Sequence, residues 1–273
     1  MAALASKSWK TFVVNLGISV TVTICVLLLT QDVFFEFPPL KRAELSLIDQ
    51  RFRDRGDILA LRDTSQIVIV EISQESFKSL PEPWPWPKSY YARLVRNLKR
   101  AGAKAIGLDV VFSSTDPRNA NDDQTLRGAL KDAGNVVLAG KIETEQHQYL
   151  KHDQRENYGN VFIDSTSTLG LVNTRSDYDG VLRRYMPFIY DDARDKRIPT
   201  FSMALLNIAL RQPPDYTAAV VGRAFHYVTK DIPRYDNTSF LINYYGPSGT
   251  FRRIKFADVL DDNKFTTREE ANL

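Results

Sequence analysis

Apolar residues fall along the chain in three kinds of run. The first is continuous. Thr11 to Thr30 (TFVVNLGISVTVTICVLLLT) is 20 residues long and carries no charge. A helix of that length rises about 30 Å, the thickness of a bilayer's hydrocarbon core. Lys7 and Lys10 precede the run, and Gln31, Asp32 and Glu36 follow it. Positive flanks stay cytoplasmic. The pattern predicts a cytoplasmic N-terminus at 1–10, a transmembrane helix at 11–30 and an extracytoplasmic region at 31–273. A cleaved signal peptide is one alternative, yet its apolar core usually spans about 7–15 residues and ends at a small-residue cleavage site. The segment TQDVFFEFPP offers no such site. A buried soluble helix is the other alternative.

The second kind of run has helical spacing. Prolines 38 and 39 are expected to break any helix and force extended geometry. Beyond them, Leu45, Ile48 and Phe52 share one face of a predicted helix that stops at Gly56. Ser89 is expected to cap a helix whose Tyr91, Leu94, Val95 and Leu98 face inward, with Gly102 at its end. Asp122 or Asp123 is expected to start another, with Leu126, Leu130 and Ala133 inward and Gly134 at its end. Pro199 is read as opening a fourth helix, with Phe201, Leu205 and Ile208 on one face.

The third kind is short and β-branched. Ile67 to Ser73, Ala105 to Phe112 and Val136 to Ile142 read as strands buried on both faces. Alternated with the helices, they give β-α-β-α-β, which implies parallel pairing and right-handed crossovers. The fold class is therefore α/β, a parallel or mixed sheet flanked by helices and preceded by one membrane helix. Residues 143 to 160 are polar and read as a long exposed loop. Shorter elements are expected at 161–163, 169–173, 183–190, 225–228 and 240–244, with a short helix in FADVL.

Composition narrows the function classes. Hydrophobic residues are 43% and charged residues 25%, ordinary values for a globular domain. Two of the 36 basic residues precede residue 30, leaving 34 basic against 33 acidic ones beyond it. That balance gives no electrostatic case for nucleic acid. The single cysteine, Cys25, lies inside the apolar run, so the region beyond it has no disulfide and must rely on its core. No second apolar run of 18 or more residues is present to carry the chain back across a membrane.

Open parallel sheets bind ligands at the carboxyl ends of their strands. The predicted ends carry Glu71, Asp109 and Asp116. Carboxylates on one rim suit a polar ligand or a divalent cation. The alternative is that Asp109 hydrogen-bonds neighbouring backbone inside the fold, since a buried carboxylate needs a partner. Trp84 and Trp86 in PWPWP are read as a rigid connection burying its rings, with an aromatic binding platform as the alternative. Asp177, Asp179 and Gly180 resemble part of a calcium loop. The glutamate at the required distance is missing, so a tight turn held by aspartate side chains is expected. Residues 134–141 miss the phosphate-loop spacing and its Ser/Thr, and His147 and His152 are poorly spaced for a shared metal. There is no catalytic signature and no cofactor motif.

Taken in order, SLIDQRFRDRGD, IVIVEISQESF, WPWPKSYYARLVRNLKRAGAKAIGLDVVFSSTD, DDQTLRGALKDAGNVVLAGKI, LGLVNTRSDYDGVLRRYMPFI and INYYGPSGTFRRIKFADVL resemble the CHASE domain of type two, over about 45 to 260. This is an extracellular sensor associated with nucleotide cyclases and histidine kinases. The resemblance implies an N-terminal membrane helix, a sensor that works as a homodimer, and a cluster of usually three membrane helices leading to a cytoplasmic cyclase or kinase. The signal is expected to be an extracellular or periplasmic small molecule. The family's ligands are largely undefined, so no binding residue is carried over. The family continues past the position of Leu260 with an apolar strand of the G-K-I-V-L-I-G kind. Here a polar segment ends at Leu273, and a partial coding sequence is expected. A membrane-anchored metal-dependent hydrolase and a structural dimerisation module are the alternatives to the sensor.

Overall fold

Helix α1 (Ala2–Thr30) takes up the apolar run and extends beyond its N-terminal end in the computed structural model. The structure describes residues 2–30, 38–56, 66–116, 119–142, 158–164 and 167–260. Within α1, side chains are described at residue 9 and at 11–27, and all of them are exposed. Phe12, Val14, Ile18, Val22 and Leu27 are each half exposed or more and lie at different angles around the helix, so uncharged apolar side chains face every side, with Thr11, Asn15, Ser19 and Thr23 recurring at four-residue spacing among them. Among the described residues, no helix is long and apolar enough to cross a membrane. The described side chains of α1 stop at residue 27, short of Leu28 and Leu29 in the same helix.

The chain divides into two compact units, Met1–Leu61 with Tyr244–Thr250, and Arg62–Asn243 with Phe251–Leu273. In the first unit, Pro38 opens helix α2 (Pro38–Arg55). The expected extended geometry is corrected: the two prolines begin a helix, because the first turn needs none of the N–H groups they lack. The predicted face is present: Leu45 is buried, and Ile48 and Phe52 are partly so. Gly56 ends the helix at φ +71°, a left-handed conformation that favours glycine.

The second unit begins with strand β1 (Val68–Glu71), helix α3 (Gln74–Ser79), helix α4 (Lys88–Arg100) and strand β2 (Ile106–Leu108). Helix α5 (Ala120–Ala133), strand β3 (Val136–Gly140) and strand β4 (Thr168–Leu171) follow. Strands β2, β3 and β4 form one parallel ladder in that order. Side chains alternate across it, as a period of two requires. Ile106, Leu108, Val136 and Leu138 join Tyr91, Leu94 and Val95 of α4 and Leu126 and Ala129 of α5 in the main core. Each buried Val, Leu or Ile among them contributes about 1.5–3 kcal/mol by leaving water.

The opposite face is built for close approach. Helix α6 (Phe201–Ala209) lies on it, over Gly107 and Gly170. A Cβ at Gly170 would stand 2.6 Å from the Phe201 Cα, and one at Gly107 2.8 Å from its ring. Side chains at these positions would push α6 off the sheet.

The rest of the unit is antiparallel. Strand β5 (Arg184–Tyr185) pairs with β11 (Phe240–Leu241), and β6 (Phe188–Asp191) with β7 (Lys196–Pro199). Strands β8 (Ala219–Val221), β9 (Ala224–Tyr227) and β10 (Lys230–Pro233) make a third small sheet. Its core gathers Met203, Ala218, Phe225 and Tyr227. Strand β12 (Arg252–Lys255) and helix α7 (Phe256–Leu260) return to the first core, where Phe256, Val259 and Leu260 are buried.

Several expectations change. β1 does not join the β2–β3–β4 ladder; it pairs with β12, parallel, in a separate sheet. Nor is it buried on both faces: Ile67, Val68 and Ile69 are 60%, 44% and 37% exposed. It lacks a second described neighbour, and burial of a strand depends on what flanks it. Ser89 does not cap α4, whose N-cap position is Pro87. Asn119, not Asp122 or Asp123, caps α5, accepting from the Asp122 N–H. The short element expected at 161–163 is a turn, and regular strand at 240–244 ends at Leu241. Residues 143–157 of the expected loop lie outside the described residues. Tyr158 and Asn160, at its end, are buried instead of exposed.

Candidate functional site

The carboxyl ends of β2 and β3 are occupied by the chain itself. Asn160 is fully buried there. Its amide donates to the Val110 and Ala139 carbonyls at 3.3 and 2.8 Å, and its side-chain oxygen accepts from the Phe162 N–H. One side chain thereby satisfies backbone groups left over at two strand ends, as buried polar atoms require. Tyr158 sits beside it in the left-handed region, φ +49°. Its hydroxyl donates to Asp191 at 2.9 Å, and the Arg194 guanidinium lies 4.8 Å over its ring while also pairing with Asp191 at 3.0 Å. Burial and the Asp191 contact push the Tyr158 hydroxyl up to about 12. Burial would raise the Asp191 carboxyl, but Tyr158 and Arg194 outweigh it and hold the group below its ordinary range.

The three predicted rim carboxylates take different surroundings. Glu71, partly buried, pairs with Arg253 across the β1–β12 ladder at 2.8 Å. Asp109 is exposed, so the expectation of a buried strand position is corrected: it follows the last residue of the short strand β2 and is turned to solvent. Asp116 is partly buried, and its N–H donates to Asp123 at 3.0 Å. Among the described residues, no three His, Cys, Asp or Glu side chains converge as a metal site, so the rim carboxylates do not meet in one group.

Two neighbouring aspartates, read only as possible helix starts, hold this edge together. Asp122 is 6% exposed and accepts from the backbone N–H groups of Lys88 and Ser89. It caps α4 from another helix, satisfying donors that the first turn leaves open. Asp123, equally buried, takes the Asp116 N–H on one oxygen and stands 3.3 Å from the Lys88 ammonium with the other. An acidic pair in the first turn of an amphipathic helix was the available signal. Its partners, about 33 residues earlier, were not legible.

The Trp-Pro segment leads into that cap. Trp86 is 4% exposed and stacks on Phe256 at 5.0 Å. Trp84 remains 50% exposed, edge-on to both Trp86 and Phe77. Only one of the two indoles is buried, so the expected burial of both rings is corrected; the Trp84 peptide to Pro85 is cis.

The SDYDGVLRR turn is a charged hub. Gly180 takes φ +79°, its N–H donates to the Asp177 carbonyl, and the Val181 N–H donates to the Asp179 side chain, as the tight-turn reading expected. The arginines were missed. Arg183 is 4% exposed and pairs with Asp177 and Asp179 at 3.1 and 2.8 Å. Arg184 reaches Asp177 and Asp236. Asp236 also accepts from the backbone and hydroxyls of Thr238 and Ser239. Burial works to raise its carboxyl, but these hydrogen bonds prevail and hold it at about 2.

The hub and the Asn160 plug order loops; neither aligns a nucleophile with a base. No curated protein and no solved structure matches the chain. A family model does, the CHASE2 domain, over residues 20–272, which takes in the Trp-Pro segment, the plug and the charged hub. This is a family of extracellular sensory domains of signalling proteins, and the chain belongs to it.

Proposed function

We propose that this chain is the extracytoplasmic, signal-receiving region of a membrane-bound signalling protein, anchored through α1 and controlling a cyclase or kinase. The observation that carries the reading is α1 itself. It is 29 residues long, carries no charge from Thr11 onward, has apolar side chains on every side of that stretch, and is exposed at every described side chain. A helix that is apolar all round is stable when lipid or protein covers it. With Leu28 to Thr30 the apolar run reaches the length of a span. Lys7 and Lys10 before the run support an N-terminus on the cytoplasmic side.

The signal is a small molecule, and the working form is a homodimer. Asp109 is the foremost candidate contact, because it is exposed and no described residue pairs with it. A ligand acts only by binding two states of the sensor unequally. An alkaline phosphatase fused after residue 260 should be active, since it folds only outside the cytoplasm. Activity of a cytosol-dependent reporter at the same position would overturn the reading.

A further inference from the structure

We infer that Tyr244–Thr250 is the mechanical link through which the antiparallel part of the sensor acts on α2. The inference rests on the sensory reading above and names its route of transmission. Three observations carry it.

The segment is a connection between two strands that are each held firmly. On its N-terminal side β11 pairs with β5, and the Ile242 N–H extends that pairing to the Arg183 carbonyl at 2.9 Å. On its C-terminal side β12 pairs with β1 over four residues. The upstream anchor is also the charged hub. Arg183, beside β5, and Arg184, on it, are tied to Asp177, Asp179 and Asp236.

The segment nevertheless belongs to the unit that contains α1 and α2. There the Tyr244 ring meets Phe52 edge-on, centroids 6.0 Å apart. The Arg55 guanidinium lies 5.1 Å from the Phe52 ring centre and donates to the Tyr244 carbonyl. Phe52 is the last residue of the apolar face of α2, and Arg55 is its final residue. The clasp therefore grips the end of α2 farthest along the chain from α1.

Only Ile242 and Asn243 separate β11 from Tyr244. Two residues span at most about 7 Å, so the link has little slack. A shift of β11 is passed by the covalent chain to Tyr244, and by Tyr244 to Phe52 and Arg55.

The test is amide hydrogen exchange across α2 in the full chain, held in lipid nanodiscs. Asp236→Asn serves as the perturbation, with Asp236→Glu as a second variant should the first lose the exchange protection of β3. Either variant should speed exchange in α2 by about threefold or more, because local opening is set by the packing of the element concerned. In a Phe52→Ala background, exchange in α2 should already be fast and the Asp236 change should add nothing. Faster exchange in β11 with none in α2 would overturn the link. So would an undiminished response in the Phe52→Ala background. A coupled α2 in a chain whose phosphatase fusion is inactive would keep the link and remove the membrane reading.

Discussion

β1 and β3 were nearly the same object in the sequence, and the folded chain treats them differently. Both are short, parallel and rich in β-branched residues. β3 is hydrogen-bonded on both sides, lies under α4, α5 and α6, and is buried at all five positions. Among the described residues β1 has one partner, β12, and its first two residues are exposed. The difference teaches that apolar content makes a strand eligible for burial, while its neighbours decide whether burial happens. The free energy follows the neighbours, because it scales with area removed from water.

The comparison can be broken most forcefully at Gly170. Gly170→Val places side-chain carbons against the Phe201 backbone, which cannot yield without moving α6. The domain should lose more than about 3 kcal/mol or fail to fold; a chemical denaturation midpoint close to the parent's would show that α6 does not rest on this face. Next comes a matched pair of truncations. Leu138→Ala in β3 should cost about 2–5 kcal/mol, whereas Ile69→Ala in β1 should cost under about 1 kcal/mol, as expected at a partly exposed site. Equal losses, measured as shifts in denaturation midpoint, would mean that β1 is covered as fully as β3. Asp122→Ala should cost about 1–2 kcal/mol, the usual worth of a helix cap, and fray the start of α4. Exchange rates at the Lys88 and Ser89 amides report on it directly.

The smallest effect is expected in acid. Asp236 and Asp191 titrate below their ordinary range in the folded chain. Groups of this kind stabilise fully above the unfolded carboxylate value, and the contribution disappears as pH falls through the folded one. Stability should therefore hold from neutrality to about pH 4 and then decline toward about pH 2. Asp236→Asn should flatten the lower part of that decline, and thermal melts across the range measure it. An unchanged slope would locate acid sensitivity outside the hub.

Much of the second unit's first half was legible because its signals are local. Tyr91, Leu94 and Val95 fall on one face by spacing alone, and Gly134 ends α5 by its left-handed φ of +66°. The α2 face of Leu45, Ile48 and Phe52 was read the same way. What escaped depends on distance along the chain. The partner of β1 lies about 184 positions away in β12, and pairing between such segments leaves no mark in either one. The hairpin of β6 and β7 was missed because KRIP has too few apolar residues to show alternation. At the candidate site, Glu71 is the last residue of β1, whereas Asp109, expected inside an apolar strand, follows the end of β2. Their surroundings, an arginine for one and solvent for the other, come from tertiary structure alone.

The segment around Asn160 has a consequence for how such a domain can diversify. Residues 143–157 are bracketed by fixed points: the Lys141 N–H donates to the Tyr158 carbonyl at 2.8 Å, and Asn173 holds Ile142 through two hydrogen bonds. Loop-closure cost grows only slowly with length once the ends are pinned. Sequence inserted between the two pins therefore adds little closure cost, so the hydrogen bonds at Lys141, Ile142 and Asn173 let the length between them vary while the pins themselves are kept.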